Sequence, residues 1–219
     1  MKKMPALILF SILVFPGIAA DPLKLTGSVK SPKYLVPIDP HTRKDEEAIE
    51  KLLGDRWGYG TMIYTDSTGR AFVVSVWGKD YANYDYEHPR QNFITLIEVS
   101  LTHEADSTHA IPTKEIEVPI NVELAIAVQR AWAAMLLKTR YPTTPYLGLD
   151  GWRTEFSVGV RGAGAVYGQL WSPSDGLPKE LMDLGFALAD YCKAPQHERF
   201  DKRKQLLQWL QDFTKRLAG

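Results

Sequence analysis

The sequence predicts an α+β fold: a mainly antiparallel sheet of about five to seven strands with three or four helices packed on it. Three observations carry this. Phe93 to Thr102, Lys114 to Ile120 and Trp152 to Val160 place apolar residues at every second position, the period of a strand. Val122 to Arg140 and Glu198 to Leu217 place them every third or fourth position, the period of an amphipathic helix. The two kinds of segment are interleaved without strict βαβ alternation. That favours helices gathered on one face of the sheet, leaving one dry face and one wet face.

The elements follow in order. Residues 21–40 carry Pro22, Pro32, Pro37 and Pro40 and read as an extended lead-in. Lys44 to Leu53 reads as a short helix. Its acids Asp45, Glu46 and Glu47 lie in the first turn, where they oppose the helix dipole, and Gly54 stops it. Thr61 to Thr65 and Ala71 to Trp77 flank the turn-forming cluster Asp66-Ser67-Thr68-Gly69 and predict a hairpin. A polar and aromatic loop, Gly78 to Asn92, leads to the strand Phe93 to Thr102. A solvated hairpin loop then extends to Pro112, and Lys114 to Ile120 is the next strand.

Asn121 is a good N-cap for the helix from Val122 to Arg140, which Tyr141-Pro142 ends because proline disfavours helical geometry in the residue before it. Trp152 to Val160 and Ala165 to Trp171 form a second hairpin about the turn Arg161-Gly162-Ala163-Gly164. Pro178 sits near the start of a helix reaching Cys192, Pro195 breaks the chain, and the last helix aligns Leu206, Leu210, Phe213 and Leu217.

The first twenty residues set the expected compartment. Lys2 and Lys3 precede an apolar run from Pro5 to Phe15, then Pro16-Gly17 and Ala19-Ala20, the order of a secretory signal peptide. Residues 1–20 are therefore expected to be removed, leaving residues 21–219 as a single α+β domain, periplasmic or secreted, with no stable membrane insertion after cleavage. The 26 basic residues balance the 26 acidic ones. A neutral chain argues against nucleic acid as a partner, because phosphate binding needs clustered basic charge. Cys192 is the single cysteine, so the chain has no internal disulfide, and its place on a helical stripe with Leu184, Leu188 and Tyr191 reads as a buried thiol rather than a nucleophile.

Recognised catalytic and cofactor patterns are missing. Gly162, Gly164 and Gly168 lie in and after a hairpin turn, not between a strand and a helix, so they do not make a nucleotide loop. Ser157 lies within a strand and has no nucleophile elbow around it. No cofactor is expected. His103, Glu104 and His109 are weak metal candidates: imidazole and carboxylate suit zinc, but a zinc site needs three or four convergent ligands and this spacing does not supply them.

The loop after the second strand is richer. Trp77, Tyr81, Tyr84, Asp85, Tyr86 and His88 combine aromatic faces with charge, a composition suited to protein contact or sugar stacking. From Asp80 to Glu123 only Arg90 and Lys114 are basic amid many acids, which would steer a basic partner. The sequence thus predicts an exported protein that acts by binding another envelope protein or a glycan. An inhibitor or immunity-type protein is the concrete form. The alternatives are an envelope hydrolase with a non-standard site among Asp80, Asp85, Glu87 and His88, and a carbohydrate- or ligand-binding module.

Overall fold

Among the described residues, six strands pair antiparallel throughout. They are β1 (Gly60–Thr65), β2 (Arg70–Gly78), β3 (Asn92–His103), β4 (Thr108–Ile120), β5 (Arg153–Val160) and β6 (Gly164–Trp171). Their order across the sheet is β4-β3-β2-β1-β5-β6. Among the described residues the helices are α1 (Lys44–Leu53), α2 (Val122–Leu136), α3 (Gly176–Lys193) and α4 (Arg199–Ala218), with a 3-10 turn at Gln196–Glu198. This is the predicted α+β architecture. The computed structural model describes residues 34–38, 43–56, 58–79, 91–104, 107–141 and 151–218, all within the unit from residue 31 to 219. The signal-type segment, most of the lead-in, and Tyr81, Tyr84, Asp85, Tyr86 and His88 lie outside the described residues.

The three long helices share one sheet face. Trp132 and Val128 of α2, Leu181 and Leu188 of α3, and Leu210 and Phe213 of α4 join Met62, Val74, Ile94, Leu96 and Phe156 in the main core. Asn121 caps α2 by accepting the Leu124 N–H at 3.2 Å. Trp132 ties α2 to the centre of the sheet by donating Nε1–H to the Thr61 carbonyl at 3.2 Å. The α4 helix rests mainly on α2 and α3. Glycine lets α3 approach closely: a Cβ on Gly185 would stand 2.1 Å from the Met62 sulfur.

The expectation of one dry and one wet face needs correction. Neighbours along a strand point to opposite faces, yet Met62 and Ile63, Val73 and Val74, and Leu96 and Ile97 are all buried. The short helix α1 causes this. Its Ile49 and Leu53 form a second, smaller core with Ile63, Ala71, Val73, Ile97, Val99 and Leu101 on the opposite face.

Two boundaries also differ from expectation. The helix α2 ends at Leu136 rather than Arg140, since Lys138 and Thr139 turn back to the Met135 and Leu136 carbonyls in i→i−3 bonds. The long loop from Thr102 to Pro112 is instead strand to His103 and again from Thr108. Pro112 fits within β4 because β4 is an edge strand, and a bulge opposite Glu98/Val99 takes up the irregularity. At the other edge, Val36 of the lead-in exchanges both backbone hydrogen bonds with Gln169 of β6, at 2.9 and 2.8 Å. That partner covers part of an otherwise open edge.

The close approach of α3 gives a direct test of the packing. Gly185→Ala should lower stability by about 1–3 kcal/mol, the usual cost of overpacking a filled core. It should read as a lower urea midpoint with an unchanged slope. An unchanged midpoint would mean that α3 stands farther from β1 than described.

Candidate functional site

The α1 face of the sheet is where polar groups gather. The strand register aligns Glu117, Thr95, Ser75, Thr61, Ser157 and Tyr167 in one row across all six strands. Their side chains share the α1 face because each is an even number of residues from a neighbour that does. Much of the row is hydrogen-bonded. Trp77 donates its indole N–H to Thr95 Oγ1 at 2.9 Å, and Thr95 donates to Glu117 at 3.1 Å. Thr61 and Ser75 hydroxyls lie 3.0 Å apart, and Ser75 donates to the Arg56 carbonyl at 2.7 Å.

At the β5–β6 end of this row the surface opens into a cavity of about 190 Å³. Its floor is small: Gly58, Thr61, Ser157, Gly159 and Ala165. Glu50 and Leu53 of α1 form one wall and Tyr167 the other. Tyr167 is 43% exposed, and burial of its phenol, followed by the Glu50 carboxylate, pushes its pKa up.

A charged framework holds α1 beside this cavity. Glu46, Ile49, Glu50 and Leu53 recur at helical spacing on the α1 face that meets the sheet, so that face is half apolar and half acidic. Arg153 of β5 grips Glu46 with two nitrogens, Nε to Oε1 at 2.7 Å and Nη2 to Oε2. Arg43, just before α1, donates to Glu50 at 2.7 Å and to Glu155 of β5 at 3.1 Å. The Arg43 guanidinium also lies 5.6 Å from the Tyr167 ring centroid. Glu46 and Glu155 are only 1% and 3% exposed. Glu155 Oε1 is buried with no hydrogen-bond partner. Burial, and then the neighbouring Glu46 charge, pushes the Glu155 pKa up to about 7, against the opposing pull of Arg43 and Arg153.

A perturbed carboxyl near a cavity invites a catalytic reading. The geometry here does not support one. Glu155 does not line the cavity, and its Oε2 is engaged by Arg43. A general acid or base must reach the reacting atom directly or through one water. Cys192 is equally unsuited to nucleophilic chemistry: it is buried against the Ile94 carbonyl at 3.9 Å, and burial pushes its thiol up to about 12.

The sequence-derived candidates among the described residues, Trp77 and His103, Glu104 and His109, fall at opposite ends of the sheet. Trp77, half-buried at the end of β2, stacks on Phe93 with ring centroids 5.0 Å apart. Its strand lies beside β1, which supplies Thr61 to the cavity floor, about 5 Å away laterally. His103 and His109 lie at the far end of β3 and start of β4. Ten residues separate Phe93 from His103 along β3, about 33 Å at the rise of a strand. His103 Nδ1 is 3.6 Å from Asp45, and His109 Nε2 is 3.8 Å from Glu104. Among the described residues no group of three or more His, Cys, Asp or Glu is arranged to hold a metal ion.

Sequence reasoning missed Glu50, Thr61, Ser75, Thr95 and Tyr167. A signal was present: small polar residues within otherwise apolar strands, at positions where a one-faced sheet would carry Val or Ile. Comparison with known proteins finds no matching family model, no matching curated protein and no matching solved structure.

The framework predicts an unusual pH dependence. The folded pKa of Glu155 lies above its ordinary 4.5, at about 7, so between these values the folded chain holds a proton that the unfolded chain has lost. Stability should therefore fall as pH rises from 4.5 to about 7, by an amount of order 3 kcal/mol. Glu98 acts oppositely: its bond to Lys193 holds its carboxyl below the usual range, so its contribution disappears only on further acidification. Urea denaturation across this window should show the decline in the wild type and a flat profile in Glu155→Gln. Equal slopes in the two proteins would remove Glu155 as the cause.

Proposed function

We propose that this chain is an exported binding protein that recognises another protein of the cell envelope, in the manner of an inhibitor or immunity protein. The binding site in this reading is the cavity between α1 and the β5–β6 hairpin. The single observation that carries it is the combination of a small-residue floor with a half-exposed tyrosine wall, set on a rigid ion-paired framework. A cavity of about 150 Å³ holds one benzene ring, so about 190 Å³ suits a single side chain or ring. Tyrosine offers a large contact area at low conformational cost, as at binding hot spots. Trp77 and Phe93, stacked on the same sheet face, extend the aromatic surface beyond the cavity.

The basic, apolar and small-residue order of residues 1–20 supports export. A glycan is the second reading, favoured by the hydroxyls of Ser157 and Thr61 beside the Tyr167 ring. The hydrolase alternative rests on Asp80, Asp85, Glu87 and His88, which lie outside the described residues.

Two experiments test this. N-terminal sequencing of the protein recovered from its own cells should begin at Asp21, and a chain still beginning at Met1 would argue against signal cleavage. A photo-crosslinking residue at Ala165, which lines the cavity, should trap one discrete protein in those cells. The same residue at Gln208, exposed on α4, should not. Crosslinks from Gln208 alone would move the interface to the helical face. An adduct of carbohydrate rather than protein mass would favour the glycan reading.

A further inference from the structure

We infer that the cavity beside α1 binds a cationic nitrogen group, a guanidinium or an ammonium, and that this cation competes with a proton held on Glu155. The inference rests on the cavity being the binding site and names the ligand chemistry that site would take.

The wall already displays its preference. Arg43 places a guanidinium against the Glu50 carboxylate at 2.7 Å and over the Tyr167 ring at 5.6 Å. Those two residues also line the cavity. A carboxylate beside an aromatic face is the pairing that recognises guanidinium and ammonium groups. Glu50 keeps a second oxygen, and its side chain is 34% exposed. Among the described lining residues Glu50 is the one carboxyl side chain; the others are apolar, small or hydroxyl-bearing. Arg43 offsets the Glu50 charge at one oxygen only, so the preference for a cation depends on the charge of the whole framework.

The charge balance of the framework points the same way. Among the described residues, the groups around Glu155 are Arg43, Glu46 and Glu50 from α1 and its lead, Arg153 on β5, and Tyr167 on β6. The adjoining β1 positions, Ile63 and Thr65, are uncharged. Three carboxyls thus face two guanidiniums among the described residues. With all five ionised, one negative charge is left in a region where Glu155 Oε1 is buried and unpartnered. An uncompensated buried charge is costly, so it is met by a proton or by a cation.

Arg43 links the two outcomes because it bonds both Glu50 and Glu155. A cation that satisfies Glu50 from the cavity side frees the Arg43 charge to act on Glu155. Glu155 then ionises and releases its proton. Linkage is reciprocal, so acid must weaken cation binding.

The probe is methylguanidinium chloride, titrated calorimetrically into the purified protein at about pH 8.5 and about pH 5.5, either side of the Glu155 transition. Binding should be about ten-fold weaker in acid, as follows when the bound cation lowers the proton affinity of Glu155 by about the same factor. A third titration at about pH 6.5, within the Glu155 transition, should give a heat that varies with the buffer's ionisation enthalpy, reporting proton release. Glu155→Gln should bind with the same weak affinity at both pH values. Glu50→Gln should not bind at either, with an unchanged circular dichroism spectrum. Wild-type affinity that is equal at both pH values, or binding of acetate in place of methylguanidinium, would overturn the inference.

Acetate or N-acetylglucosamine that binds the wild type but not a cavity-filling Ala165→Trp variant would keep the cavity as a site while removing its cationic preference. Failure of every probe would remove both. A Gly-Gly-Arg-Gly-Gly peptide distinguishes the sources: tighter binding than methylguanidinium assigns the group to a partner protein's side chain, and equal binding assigns it to a free guanidine.

Discussion

The grip of Arg43 and Arg153 on Glu155 and Glu46 is the interaction on which the second face of this protein depends. The helix α1 has ten residues and buries only Ile49 and Leu53 among its apolar side chains. Helices that short are marginal by themselves. Two apolar anchors would hold α1 to the sheet but leave its rotation and register loosely specified. The guanidinium forks supply direction. Arg153 takes Glu46 with two bonds, and Arg43 spans Glu50 and Glu155, so helix and strand can meet in only one alignment. Buried ion pairs add little net stability because of desolvation, but breaking one leaves a buried charge unmatched, at about 3–5 kcal/mol. Their contribution here is to geometry more than to stability.

That alignment divides the protein into two chemically different halves. On one face α2, α3 and α4 enclose a dry core in which Trp132, Phe156 and Phe213 are fully buried. On the other, α1 covers an apolar patch, and the sheet beyond it carries a row of hydroxyls, carboxylates and an exposed tyrosine. The small floor of the cavity belongs to this second half. Its shape needs α1 at a fixed height, and its charge depends on the same arginine that sets that height. The charge of the cavity wall and the docking of α1 are therefore parts of one electrostatic system, in which Arg43 bonds both Glu50 and Glu155.

Local signals were enough to read most elements. Gly54 ends α1 with φ +57°, Asn121 caps α2, Gly162 and Gly164 turn the β5–β6 hairpin at φ +82° and +77°, and Pro195 separates α3 from α4. Each acts over a few residues, so each is visible in the sequence. The errors arose where a distant partner intervened. Proline suggested a loop before Lys114, but an edge strand with a bulge accommodates Pro112. Alternation suggested a wet face, but α1, far from β3 in the chain, covers it.

The sequence by itself determined the fold class, the helix and strand segments, and the buried state of Cys192, because periodicity and capping are local properties. Only the tertiary structure decided where chemistry gathers. Trp77 and the His103–His109 pair look like neighbouring candidates along the chain, yet an entire strand length separates them. Glu50, Thr61, Ser157 and Tyr167 carry no motif in the sequence and meet around one cavity. The reason is that antiparallel register brings one residue from each of six separate segments into a row, and no segment alone carries the information about which residue that is.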